Sequence, residues 1–271
     1  SRAGKRRGRG LNENLARELL ELHTLGADGG YTQHDVMALA KALTGWTVPG
    51  RLDEDGEMGT FFFNVNRHEP GSKAFLGKIY VEDGLQQGAA ILDDLAHHPA
   101  TARHIARKLV RHFIEDEPRA HHVERLARIF LDTDGRLSEL YKALIEIASS
   151  VPEPRKIRSP LEFLVASLRA TGRTYDYGQS LQFTQLLGQP IWNPPGPNGF
   201  PDTEAQWVTP EGMKVRLEVA MTIARQTPGH FNPSLMINSL LGEGASEQTR
   251  HAVARADSRA QGLGILLMSP E

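Results

Sequence analysis

The chain has 271 residues, of which 39% are apolar and 24% charged, with a formal charge of -2. This is globular rather than disordered composition, and the near balance of 31 basic and 33 acidic residues sets up no overall field toward nucleic acid or membrane. The absence of cysteine excludes disulfides and thiolate chemistry, and no apolar run reaches the roughly 20 residues that span a bilayer.

Residues 1–11 open with the basic, glycine-rich stretch Lys5-Arg6-Arg7-Gly8-Arg9 and are expected to form a flexible lead-in without a signal-peptide pattern. Residues 12–271 are expected to form a single helical domain. The first helix is predicted over 12–25, where Leu15, Leu19, Leu22 and Leu25 recur at the helical period and Gly26 stops the chain. Thr32 with Asp35 resembles a capping box. It opens a helix carrying Val36, Leu39, Ala40 and Leu43 on one face and ending near Gly45-Trp46.

Residues 50–83 are the least helical part. Gly56 and Gly59 flank an acidic loop, Phe61, Phe62 and Phe63 form an aromatic run, and Phe75, Leu76, Ile79, Tyr80 and Val81 suggest short extended pieces. The expectation is a two-stranded ribbon or an ordered lid, inserted between helices. Helices return over about 84–97, 100–114, 119–131 and 136–148. After the break at Pro152-Glu153-Pro154, helices are predicted over about 159–171 and 179–188. Residues 190–210, with Trp192, Trp207 and repeated prolines, read as a rigid loop that cannot be a regular helix. The last helices are predicted over about 211–225, 233–241 and 246–268. The fold class is therefore all-α, a compact multi-helical array with a small irregular or β-containing insertion.

Several segments together carry a resemblance. Asn12-Glu13-Asn14-Leu15-Ala16-Arg17-Glu18-Leu19-Leu20-Glu21-Leu22-His23-Thr24-Leu25-Gly26 is followed by Asp28-Gly29-Gly30-Tyr31-Thr32-Gln33 and Ala42-Leu43-Thr44-Gly45-Trp46. Further along come His68, Gly71 and Lys73, then His98-Pro99-Ala100-Thr101-Ala102, Ser159-Pro160-Leu161-Glu162-Phe163, Leu187-Gly188-Gln189-Pro190 and Gly199-Phe200-Pro201-Asp202. In these the chain resembles the C-terminal portion of a bacterial family of unknown function, DUF1800. Glu69 departs from the pattern, where the family carries Asp after the histidine. The resemblance implies a helical fold and an exported or periplasmic location. It implies no activity.

The residues that could carry chemistry centre on the first helix and the insertion. Glu18 falls inside the arc of the predicted leucine face, one turn after Asn14, and a carboxylate on a buried face must be paired, protonated or metal-bound. His23 lies in the last turn, where exposed carbonyls also favour a cation. His68-Glu69 is a histidine and carboxylate on a loop, a combination that serves catalysis or binding. Asn14, Glu18, His23, His68 and Glu69 are therefore expected to form one polar cluster. Glu18 and His68 are its candidate catalytic residues. Glu18, His23, His68 and Glu69 are its candidate ligands for a divalent metal such as zinc, iron or manganese. The same residues could equally pin the insertion to the helical core.

Other patterns point to scaffold. His97-His98 and His121-His122 are adjacent pairs expected to diverge on a helix. The turn Asp132-Thr133-Asp134-Gly135 fails the calcium-loop pattern, because Phe130 and Tyr141 would occupy the terminal ligand positions. Arg103, Arg107, Lys108 and Arg111 read as a solvated helix face, so no specific nucleic acid is expected. Two classes of function stay open: a noncatalytic interaction or export-associated protein with a protein partner, and a metal-assisted or carboxylate/histidine-dependent hydrolase. The oligomeric state is not encoded in any of these patterns.

Overall fold

A computed structural model describes residues 11–49, 57–151 and 156–271. The basic stretch before residue 11, the acidic stretch at 50–56 and the Pro152-Glu153-Pro154 break lie outside the described residues. The rest is a mostly helical array with a small β-containing insertion, as the periodicity predicts. It falls into two compact units. Unit 1 is Ser1–Val110 with Pro118–Ser149, and unit 2 is Arg111–Glu117 with Ser150–Glu271.

Unit 1 begins with α1 (Asn14–Glu18), which widens directly into a π turn at Leu19–His23. This changes the face expected from the leucines. Ala16, Leu20 and Leu25 are buried, whereas Leu15 is 62% exposed. A π turn advances less per residue than an α-helix, so the buried spacing lengthens beyond the α period. Gly26, at φ +83, closes the turn by donating its N–H to the Leu20 carbonyl at 3.0 Å.

Helix α2 (Gln33–Ala42) starts at the expected capping box of Thr32 and Asp35. β1 (Trp46–Thr47) pairs antiparallel with β2 (Phe62–Phe63), and β3 (Lys73–Phe75) pairs antiparallel with β4 (Lys78–Tyr80). Trp46 thus enters a strand after α2 ends. The β3–β4 turn is Leu76-Gly77, both at positive φ, which suits the right-handed strand twist. The Leu76 N–H donates to Asp35 Oδ1 at 2.8 Å, so the carboxylate that caps α2 also holds the hairpin. Phe75 and Tyr80 then reach a core shared with Leu20, Val36, Leu39, Ile91 and Leu95. Helices α3 (Leu85–Ala96), α4 (Pro99–Phe113), α5 (Ala120–Asp132) and α6 (Leu137–Ser150) follow, the ends of α4 and α6 belonging to unit 2.

Unit 2 contains α7 (Pro160–Thr171), α8 (Tyr177–Leu186), α9 (Glu204–Trp207), α10 (Pro210–Gln226), α11 (Pro233–Leu240), α12 (Glu247–Ala254) and α13 (Arg259–Leu267). Ser159 and Glu162 form a capping box at the start of α7, and Gly172 ends the helix in the left-handed conformation. Asp176 caps α8 two residues earlier than expected. The single helix predicted over 246–268 is two helices. Ser258 Oγ accepts the Gln261 N–H at 3.2 Å, and the Asp257 N–H donates to Gln261 Oε1 at 2.6 Å. These bonds start a new helix instead of continuing the old one. The loop over 190–210 is irregular except for α9. Phe163, Leu187, Val219 and Ile223 pack in one cluster, and Met236, Val253, Leu263 and Leu266 in another. Among the described residues no helix is long and apolar enough to cross a membrane.

Candidate functional site

The first helix contributes little polar convergence. Asn14 is exposed, its backbone N–H held by Asn12 Oδ1 at 3.1 Å. Glu18 is half-buried and makes no hydrogen bond or ion pair among the described residues. His23 is exposed. The helix end is instead closed by His104 of α4, whose Nε2–H donates to the Leu22 carbonyl at 3.1 Å. Burial holds the His104 ring below its ordinary pKa, opposed by that hydrogen bond and helped by Lys108, Arg107 and His23. A neutral donor therefore occupies the place where the sequence suggests a cation from His23.

His68 is buried, and its neighbours come from the end of α2 and from the insertion rather than from the first helix. Its Nδ1 lies 2.8 Å from the Thr44 carbonyl and its Nε2 3.1 Å from Glu82 Oε1. The ring of Phe63 packs 5.4 Å away, centre to centre. A carbonyl and an ionised carboxylate only accept, so both bonds are satisfied together when the ring is an imidazolium. Glu69 follows with its backbone N–H on Thr44 Oγ1 at 2.7 Å.

Lys73, also buried, donates to the Glu69 and Gly71 carbonyls and lies 3.8 Å from Glu82 Oε2. Burial pulls the Lys73 ammonium below the ordinary lysine range, and the nearby carboxylates of Glu82 and Glu69 oppose that shift. For Glu82, burial acts upward. The backbone N–H groups of Gly84 and Gly71 and the charges of His68 and Lys73 outweigh it, so its carboxyl sits below the usual range. Gln87, wholly buried, faces the carbonyls of Tyr80 and Val81, each 3.1 Å from its side-chain nitrogen. Sequence reasoning named Lys73 only within the family resemblance and missed Glu82 and Gln87, which read as ordinary surface residues of a loop and a helix start. Among the described residues, no group of three or more His, Asp or Glu side chains is placed to hold a metal ion.

One of the two adjacent histidine pairs differs from expectation. The His121 and His122 rings meet edge to face, 4.0 Å apart, instead of diverging. His98 Nδ1 accepts the Ala100 N–H at the start of α4. Arg103 pairs with Glu124 at 3.2 Å, in keeping with a solvated face.

Unit 2 holds a second polar assembly. His112, in the last turn of α4, lines a cleft of about 200 Å³ with Phe113, Lys156, Ser159, Asp202 and Trp207. His112 Nδ1 lies 2.8 Å from Asp202 Oδ1. Lys156 Nζ donates to Asp116 Oδ1 and to the Asp202 carbonyl, while Asp116 Oδ2 accepts the Glu204 N–H. Nearby, Gln189 Oε1 accepts the Leu161 N–H at 2.8 Å. Segments far apart in the sequence, Ser159–Phe163, Leu187–Pro190 and Gly199–Asp202, thus meet in one unit. A separate groove of about 600 Å³, with Leu217, Met221, Ala252 and Ile265 in its walls, is mainly apolar.

One family model, described as a protein of unknown function (DUF1800), matches residues 1–271. No curated protein and no solved structure matches the chain.

Proposed function

The chain belongs to the DUF1800 family, a membership that carries no activity with it, and we propose that unit 1 is a noncatalytic, partner-binding module whose insertion is fixed by buried charge. The observation that carries this reading is the engagement of both His68 ring nitrogens by fixed oxygens of Thr44 and Glu82. A general base needs one nitrogen open to the proton it removes, and a metal ligand needs a lone pair. His68 has neither while both bonds stand. Glu82, at the edge of the fold, in turn faces the buried His68 ring and the buried Lys73 ammonium, and so holds both.

The insertion, so pinned, turns apolar side chains outward. Val65, Ile79 and Val81 are each 70% exposed or more, and Phe61 is also exposed. Exposed apolar side chains on a rigid frame suit a protein partner better than a small polar substrate. The competing reading, a metal-assisted hydrolase using Glu18, His23, His68 and Glu69, requires a metal bound in stoichiometric amount. The test is metal analysis of the purified chain together with Glu18→Gln and His68→Ala variants. The scaffold reading expects no stoichiometric zinc, iron or manganese, a destabilised His68→Ala and a near-normal Glu18→Gln. Bound metal that disappears in either variant, with the fold retained, would overturn it.

A further inference from the structure

Histidines beside carboxylates occur in several arrangements in this chain, and they differ in what the ring has left to offer. His68 has both nitrogens engaged. His97 also has both engaged, Nδ1 by the Asp93 carbonyl at 2.7 Å and Nε2 by Asp134 at 2.6 Å. His112 is different. Its Nδ1 is held by Asp202, and its Nε2 has no partner among the described residues. An Nδ1–H donated to a carboxylate fixes the tautomer and leaves Nε2 as the basic atom. The ring is about half exposed, within a cleft that solvent reaches.

The carboxylate that orients His112 is itself held. Lys156 and Asp116 form an ion pair with both side chains about four-fifths buried. Through that pair Lys156 grips the Asp202 carbonyl and Asp116 grips the Glu204 N–H, on either side of Thr203 and just after the Asp202 side chain. Two residues near the His112 helix end and the α7 start thus set the position of a carboxylate some 90 residues away in sequence from its histidine. A surface ion pair alone is worth little and needs no such clamp. Held geometry around a basic nitrogen is what proton transfer requires.

We propose that this unit 2 cleft is a hydrolytic site in which His112 is the general base toward water, with short-chain carboxylic esters as the substrate class. The proposal is independent of the reading of unit 1. Asp202 and Asp116 are positioning residues, and Lys156, which lines the same cleft, both holds the Asp202 loop and meets the substrate. His112 Nε2 takes a proton from a water molecule as the water oxygen bonds to the acyl carbon. The carbon–oxygen bond to the leaving alkoxide then breaks, and the imidazolium returns its proton to that alkoxide. One ester and one water give one acid and one alcohol. Lys156 has two of its three N–H donors on Asp116 and Asp202, and the third suits the oxygen on which negative charge develops. The small cleft and the Phe113 and Trp207 rings limit the acyl group to a short one and give it apolar walls. Glycoside cleavage fits less well, because it needs two carboxylates flanking the bond, and Asp202 is committed to His112.

The experiment follows hydrolysis of p-nitrophenyl acetate and p-nitrophenyl butyrate by the 271-residue chain, with His112→Ala, His112→Gln, Asp202→Asn and His251→Ala variants. Wild type is expected to show saturable turnover governed by one basic group. Both His112 variants should lose about 100-fold or more of kcat/KM. Asp202→Asn should lower kcat and displace the pH profile while the fold persists by circular dichroism. His251, exposed on α12 and away from the cleft, serves as the control for ordinary imidazole catalysis, and its variant should match wild type. Non-saturable hydrolysis in wild type, or folded His112→Gln with wild-type turnover, would overturn the proposal.

Discussion

Replacing His68 by alanine removes two hydrogen bonds and a buried ring at once. The bond to the Thr44 carbonyl is 2.8 Å long and the bond to Glu82 3.1 Å. Bonds involving a charged group contribute about 1.5–3 kcal/mol each. The Glu82 carboxylate is about one-third exposed, so its share belongs at the low end. The loss leaves the Thr44 carbonyl without this donor and leaves a space beside Phe63. A total of about 3–5 kcal/mol follows from the two bonds together with the lost packing of a buried ring. For a chain of this size that corresponds to a fall in Tm of roughly 10 °C. His68→Asn, whose amide can still donate toward the Thr44 carbonyl, should recover part of the loss. Equilibrium urea unfolding measures both, and a cycle with Glu82→Gln isolates the pair, with an expected coupling of about 1–2 kcal/mol. A loss below about 1 kcal/mol in His68→Ala, or zero coupling to Glu82, would refute the argument that this network pins the insertion.

Three further outcomes are expected. Leu20→Ala should cost about 2–5 kcal/mol, because Leu20 is wholly buried, whereas Leu15→Ala should stay within about 0.5 kcal/mol. Equal effects in denaturant titrations would restore the leucine face that the π turn displaces. Gly45 sits at φ +90, and an added Cβ would lie 2.8 Å from the Asn64 carbonyl oxygen and 3.2 Å from His68 Cβ. Gly45→Ala should therefore destabilise by about 2 kcal/mol or more, read as a lower unfolding midpoint. The carboxyls of Glu82 and Asp35 are held below their usual values of 4.5 and 3.8. Their stabilisation is complete above those values and is lost as pH falls through the depressed folded-state values. Tm should thus begin to fall near pH 4.5 and continue downward, less steeply in Glu82→Gln. An identical acid profile in that variant would exclude Glu82 from the effect.

The sequence by itself determined the helical class, most element positions and the nature of the insertion, because these follow from local rules. Leucine and alanine periods, the Thr32/Asp35 and Ser159/Glu162 boxes, and proline and glycine breaks act within a few residues of themselves. It also singled out His68 and the segment ending at Asp202. Only the tertiary structure decided what each does. Residues 18 and 68 attract notice as a pair, yet His68 bonds to Thr44 and Glu82, and Lys73 and Gln87 are buried beside it. The face of the first helix shifts through a π turn that no local spacing announces. Likewise Asp202 becomes the partner of His112 through a loop clamped by Lys156 and Asp116. Burial and proton placement depend on groups brought together from distant parts of the chain. A side chain's type is written locally, but its protonation and its open valence are set by neighbours that only folding supplies.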